Sequence, residues 1–199
     1  PAVERALAIA AAAGMVTVLN PSPWHAPSAA LRAATQVVIV NQTEAAALLQ
    51  LSAAAAAAAA ADVAVDVGAV LCSPAAVGVL ARFAQDWPRA TQLVVTLGAQ
   101  GSVGFERQGK AGWRGWLVAA CAVQAVDNVG AGDAFAAAYA AALVQGHGMP
   151  SALQSAHFCA AQVVAGAGVL ARLPQAAALA AWRATGAALQ VRLLDGANG

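Results

Sequence analysis

The sequence predicts an α/β protein built on a mainly parallel sheet with helices on both faces. Three observations carry that reading. The runs "QVVIV" (residues 36–40) and "LVVTLG" (residues 93–98) are nearly continuous apolar stretches, broken only by Gln36 and Thr96, as strands covered on both faces are. Alanine-rich segments of helical composition alternate with these runs. Asn20, Asn41, Gly98 and Asp127 each follow a run of strand character, which is where ligands gather in open α/β sheets.

Taken in order, residues 1–13 have helical composition and stop at Gly14, a natural helix end. "MVTVL" (15–19) is short and β-branched and closes on Asn20-Pro21-Ser22-Pro23, which predicts a strand running into a loop. A short helix is expected over 28–34, the first buried strand over 36–40 and helix again over 43–51. Residues 53–61 are low-complexity alanine with high helix propensity and no distinctive face to bury. A short strand is expected within 63–71. The Ser73-Pro74 pair opens a helix to residue 87, and 93–98 is the clearest buried strand. Strands over 102–105 and 116–126 flank a turn at 108–112. Helices are expected over 134–145, 151–164 and 176–183. Glycine-rich breaks stand at 146–150 and 165–168, and the tail to residue 199 has no assigned element. The whole chain, residues 1–199, is expected to form part of one domain, with no second domain.

Composition narrows the function classes. The 199 residues are 61% hydrophobic and 10% charged, far from a disordered chain. Alanine supplies much of the apolar count, and alanine buries too little surface to drive membrane insertion. Ten Lys and Arg against nine Asp and Glu leave a net charge of +1 and no basic stripe, so neither nucleic acid nor a membrane is an expected partner. Cys72, Cys121 and Cys159 are odd in number and widely spaced. They read as free thiols in a reducing, cytoplasmic setting rather than as a metal site. The first residues place charge before a weak alanine run, unlike a signal peptide.

The stretch with the most chemistry is Asp127-Asn-Val-Gly-Ala-Gly-Asp133, at the mouth of a helix. Gly130 and Gly132 let the backbone turn tightly and come close to a ligand. The bare N–H groups and dipole of the first helical turn favour an anion, phosphate above all. Asp133 falls in that first turn, beside the anion, where a carboxylate can take a proton from an attacking hydroxyl. The plain alternative is an Asp cap with glycines for a tight turn. Asn41-x-x-Glu44 likewise reads either as a capping box or as a polar pair at a strand's carboxyl end. His157, alone among alanines, has a packed reading beside a functional one.

"DNVGAGDAF" resembles the second signature of the ribokinase-like, phosphofructokinase-B family of sugar kinases, with Asn128 the one departure. "NPSP" (20–23), "NQTEAAALL" (41–49), "VVTLGAQGS" (94–102) and "AHFCAAQVVAGAGV" (156–169) are similar to further segments of that family, in family order. The resemblance implies a Rossmann-like three-layer fold and ATP-dependent phosphorylation of a sugar hydroxyl. It implies Asp133 as base and the backbone of Gly130, Ala131 and Gly132 as anion hole. Asn41 and Glu44 would organise Mg²⁺ and phosphate through water, and Thr96, Gly98, Gly101 and His157 would serve the nucleotide. A monovalent cation, K⁺, would lie among Asp127, Val129, Val163, Gly166 and Gly168. Arg172 stands where the family often supplies a serine hydroxyl, which puts K⁺ in doubt.

The resemblance covers the nucleotide and catalytic half of such kinases. The sugar-binding half and its small β lid have no counterpart in this sequence. The chain alone is therefore expected to phosphorylate no sugar at a useful rate. It is also expected to associate through an apolar seam, as a homodimer or with the missing N-terminal half. A truncated nucleotide-binding module and a non-enzymatic α/β domain are the competing readings.

Overall fold

A computed structural model describes residues 2–51, 65–109, 112–186 and 188–194. The predicted alanine segment 53–61 lies outside them. The elements are α1 (Ala2–Ala12), β1 (Val18–Leu19), α2 (Ala29–Ala34), β2 (Val37–Asn41), α3 (Gln42–Leu48), α4 (Val67–Leu71), α5 (Ala76–Asp86), β3 (Gln92–Thr96), β4 (Ser102–Gln108), β5 (Gly112–Val118), α6 (Ala131–Val144), α7 (Met149–Val164), α8 (Val169–Arg172), α9 (Ala176–Ala184) and β6 (Val191–Leu194). The strands form one mixed sheet in the order β1-β2-β3-β4-β5-β6. β1, β2 and β3 pair in parallel, with Val18 opposite Val37 and Val38 opposite Leu93.

Most predicted elements form, and the exceptions have local causes. The strand expected over 15–19 shrinks to two residues. The Met15 N–H is taken by the Ala10 carbonyl (2.9 Å) and the Gly14 N–H by Ala11 (3.2 Å), so both still belong to the helix end. The strand expected within 63–71 is helix from Val67, because the Asp66 carboxylate accepts the Ala69 N–H (3.0 Å) and caps α4. The strand expected over 116–126 starts earlier and stops at Val118. Beyond it, the Ala119 N–H bonds the Gln190 carbonyl (3.0 Å) and the chain runs on as loop. β6 and α8 were not expected.

Contacts divide the chain into two compact units. One comprises residues 1–96, 105–115 and 193–199, the other 97–104 and 116–192. In the first, Val37–Val40 of β2 and Leu93–Val95 of β3 are almost wholly buried. Each such side chain contributes about 1.5–3 kcal/mol against exposure. α5 adds Val79, Leu80 and Phe83, and Phe83 lies 5.8 Å from the rings of both Trp87 and Trp113. Two of the tryptophans are thus core residues.

In the second unit α6 and α7 pack along each other. Phe135, Tyr139 and Ala142 face inward from α6, and Met149, Leu153 and Ala156 from α7. β4 approaches α7 so closely that a Cβ on Gly104 would sit 2.7 Å from Met149 Sδ and 2.9 Å from Leu153 Cδ1. Cys121 and Cys159 are free thiols whose pKa values burial pushes up. Among the described residues no helix is long and apolar enough to cross a membrane.

Candidate active site

The mouth of α6 is open. Gly130 is its N-cap, in the left-handed region at φ 75°, and offers no side chain to the helix. The first intrahelical bond runs from the Ala134 N–H to the Gly130 carbonyl (2.9 Å). The N–H groups of Gly132 and Asp133 precede it and point out of the helix end. Upstream, the Asp127 carboxylate folds back to accept the Val129 N–H (3.0 Å), and the Val126 and Asp127 N–H groups bond the Val164 carbonyl (2.7 and 3.3 Å). The loop is therefore fastened from behind while its front stays bare.

The two glycines are there for different reasons. Gly130 needs its positive φ, and a Cβ on it would meet Val169 Cγ1 and Cγ2 at 2.6 and 2.7 Å. Gly132 has an ordinary φ, and a Cβ on it would meet nothing within 4 Å. Neither backbone strain nor packing among the described residues requires glycine at 132. Asp133 is exposed in the first turn, at the third helical position. It does not cap the helix, so the plain reading of Asp133 as an N-cap is not the geometry found.

The mouth of α3 is closed. Asn41 Oδ1 accepts the Glu44 N–H (2.9 Å), and Glu44 Oε2 accepts the Asn41 N–H (3.0 Å), a complete capping box. Glu44 is 4% exposed. Asn41 also sits opposite Thr96 in the parallel register, so the two polar residues stand side by side where β2 and β3 end. Asn20 follows β1 in the same way, its Nδ2 donating to the Ile39 carbonyl (2.8 Å).

After Thr96 the chain makes a tight turn into β4. Gly98 and Gly101 have φ values of 59° and 102°. The Leu97 N–H bonds the Gly101 carbonyl (2.7 Å), and a Cβ on Gly101 would drive into the Val118 carbonyl oxygen. Glycine at 101 is fixed by the turn itself. His157 is buried. Its Nε2 meets Ser102 Oγ at 2.9 Å, and its ring stands edge-on to Phe135 at 5.0 Å between centroids. Burial lowers its pKa to about 4. The imidazole is held in the interior against Ser102 and Phe135.

The predicted monovalent-cation residues divide. Asp127 and Val129 lie in the front loop, and Val163, Gly166 and Gly168 lie at the end of α7 and just beyond it. Arg172, at the end of α8, lays its guanidinium against Gly166, so that a Cβ there would overlap Cζ, Nε and Nη2. The seat of Arg172, the Ser102–His157 pair and Val169 behind Gly130 were not foreseen. Only the Arg172 mismatch left a trace in the sequence.

Residues 1–176 match the sequence model of the pfkB family carbohydrate kinases. The chain belongs to that family. It is 29% identical over 173 residues to ribokinase of Schizosaccharomyces pombe, a match covering 87% of this chain and 48% of the relative. Its fold is similar to that of Arabidopsis thaliana ribokinase complexed with ribose and ATP, at TM-score 0.71 and 21% identity, over 90% of this chain and 51% of that one. It is similar as well to a putative ribokinase II from E. coli in complex with ATP and Mg²⁺, at TM-score 0.65 and 20% identity, over 92% and 53%. The fold is thus the three-layer α/β fold of the ribokinase-like kinases, and the chain spans about half the length of the relatives it matches.

Proposed function

We propose that this chain carries the nucleotide-binding and catalytic apparatus of an ATP-dependent sugar kinase acting on a ribose-like substrate. The observation that carries the reading is the open mouth of α6. Gly132 is a glycine that nothing among the described residues requires, at a helix end with no side-chain cap. Close approach of a phosphate from outside explains both. Gly130, Ala131 and Gly132 then form the anion hole for the transferring phosphoryl group. Asp133 is exposed beside it and takes the proton of the sugar hydroxyl.

Thr96, Gly98 and Gly101 would border the nucleotide from the β3–β4 turn. His157 would act behind that turn by holding Ser102, rather than by touching the base. Asn41 and Glu44 are engaged with each other in the capping box, so they would meet Mg²⁺ arriving with ATP only through water. Among the described residues no group of three acidic, His or Cys side chains could hold a metal alone. The ion would accordingly take phosphate oxygens and waters, with Glu44 reached through water. When bound, Mg²⁺ neutralises phosphate charge. The free thiols fit a reducing compartment such as the cytoplasm.

The test is calorimetric titration of Mg·ATP into the 199-residue chain. Saturable binding is expected, and Gly132→Val, which fills the approach to the helix end, should weaken it on the order of tenfold or more. Absence of ATP binding, or unchanged affinity in Gly132→Val, overturns the reading. Sugar-dependent ADP release, assayed in a protein that joins this chain to a sugar-binding half, separates a kinase from a module that only holds nucleotide.

A further inference from the structure

We infer that the guanidinium of Arg172 is a resident cation, standing where a monovalent metal ion would otherwise sit on the loop of residues 163–168. What that loop serves rests on the kinase reading above; where the charge sits rests on geometry alone.

Gly166 is buried, and what covers it is Arg172. A Cβ at 166 would overlap three atoms of the guanidinium, so the head of this exposed side chain lies against the Gly166 backbone. Only a residue without a side chain permits that approach. α8 is a single turn, and its two ends meet the two loops of the site. Val169, at its start, packs behind Gly130 of the anion loop. Arg172, at its end, delivers the charge. The loop carrying Asp127 is tied to the same place by the bonds from Val126 and Asp127 to the Val164 carbonyl.

The residues present therefore do not fit a monovalent metal ion. Such an ion needs backbone oxygens in place of its water shell, and here it would meet a like charge in van der Waals contact with one of the residues meant to surround it. A guanidinium is charged at every pH a protein survives, is weakly hydrated and is planar, which suits a flat glycine backbone. Because it is covalently tethered, its occupancy does not depend on salt. The anion loop is stiffened and biased positive without recruiting an ion.

Thermal unfolding of the 199-residue chain, in KCl against choline chloride at equal ionic strength, tests this without nucleotide. The wild type should show no K⁺-specific change. Arg172→Ser should gain one, with Tm rising by about 3–6 °C at ten times the K⁺ dissociation constant. Gly166→Ala is the second variant. Its Cβ displaces only the far end of a flexible side chain, so the fold should survive and K⁺ sensitivity should appear with Arg172 still present. Saturable, K⁺-specific stabilisation of the wild type overturns the inference, as does a folded Arg172→Ser that remains indifferent to K⁺. Mg·ATP titration of the same samples keeps the two proposals apart. Lost ATP binding with the expected K⁺ pattern condemns the kinase reading alone, and intact ATP binding with a K⁺-responsive wild type condemns only the resident cation.

Discussion

Two helices of this chain begin at polar loops, and they begin in opposite ways. α3 is shut: Asn41 and Glu44 satisfy each other's backbone N–H groups. α6 is open: its N-cap is a glycine, and the Gly132 and Asp133 N–H groups have no capping side chain. An exposed helix end commonly recruits Ser, Thr, Asp or Asn to itself, at a gain of about 1 kcal/mol. α3 takes that gain and α6 forgoes it. The difference teaches how to read a helix mouth. One that satisfies itself needs no ligand to complete it, and one left bare, with a glycine that the described residues do not require, is open to something from outside.

The sharpest way to break the comparison is at Asp133. In a protein that joins this chain to a sugar-binding half, Asp133→Asn should lower kcat by about 10²–10⁴, the usual worth of a positioned base. Mg·ATP affinity should stay the same or rise slightly, because a carboxylate beside the phosphates has been neutralised. Near-wild-type kcat would make Asp133 an ordinary first-turn residue, and the catalytic reading of the α6 mouth would fail.

A second test separates the two glycines. Gly130→Ala should cost about 2–4 kcal/mol of stability, from a left-handed φ on a residue with a Cβ and a clash with Val169. Gly132→Ala should stay within about 0.5 kcal/mol of wild type, as surface substitutions away from special features do. Chemical denaturation of both variants reads the difference. Equal costs would mean that Gly132 is structural after all.

The next effect concerns pH. His157 is neutral in the folded chain, and its pKa falls from 6.5 to about 4 by burial. The unfolded chain binds a proton at 157 more readily than the folded one does, so this stabilisation is complete above pH 6.5 and is lost as pH falls toward 4. From this group alone, stability at pH 5 should be about 2 kcal/mol below that at pH 8. Urea unfolding at the two pH values should show that slope, and His157→Gln should flatten it. An unchanged slope in the variant would mean that the imidazole is not held neutral against Ser102.

The smallest effect closes the comparison. Asn41→Ala opens the capping box and should cost about 1 kcal/mol, or roughly 2–4 °C in Tm for a chain of this size. A neutral result would show that the box adds nothing to α3 and that Asn41 is kept for a ligand alone.

Much of this was legible in the sequence because the signals were local. The runs at 36–40 and 93–98 gave buried parallel strands because, Gln36 and Thr96 apart, their residues carry no polar side chain. Gly14, Ser28 and Gly146 marked helix ends through backbone chemistry that acts over a few residues. Asp133 was placed in a first helical turn from the two glycines before it. What was not legible depends on distant partners. The segment 63–71 reads as β-branched, yet a carboxylate at Asp66 caps a helix over Val67–Leu71. The strand at 191–194 has little pattern of its own. The seat of Arg172 depends on the absence of a side chain six residues earlier in the chain. His157 looks identical in sequence whether it faces a ligand or Ser102.

The two-residue strand β1 is too short to choose its own alignment by pairing, since a slip of one residue would exchange its faces. The choice is made just before it. The Thr17 hydroxyl donates to the Ala34 carbonyl (2.6 Å) and accepts the Gln36 N–H (3.0 Å), while the Thr17 carbonyl takes the N–H groups of Gln36 and Val37 (3.1 and 2.9 Å). Gln36 Oε1 in turn accepts the Thr17 N–H (3.2 Å). At the far end Asn20 grips Ile39. The strand is thus a gauge block, its length fixed by a clasp at each end. The loop from Asn20 to Pro23 is delivered to the carboxyl edge of the sheet with an error set by hydrogen-bond lengths rather than by strand length.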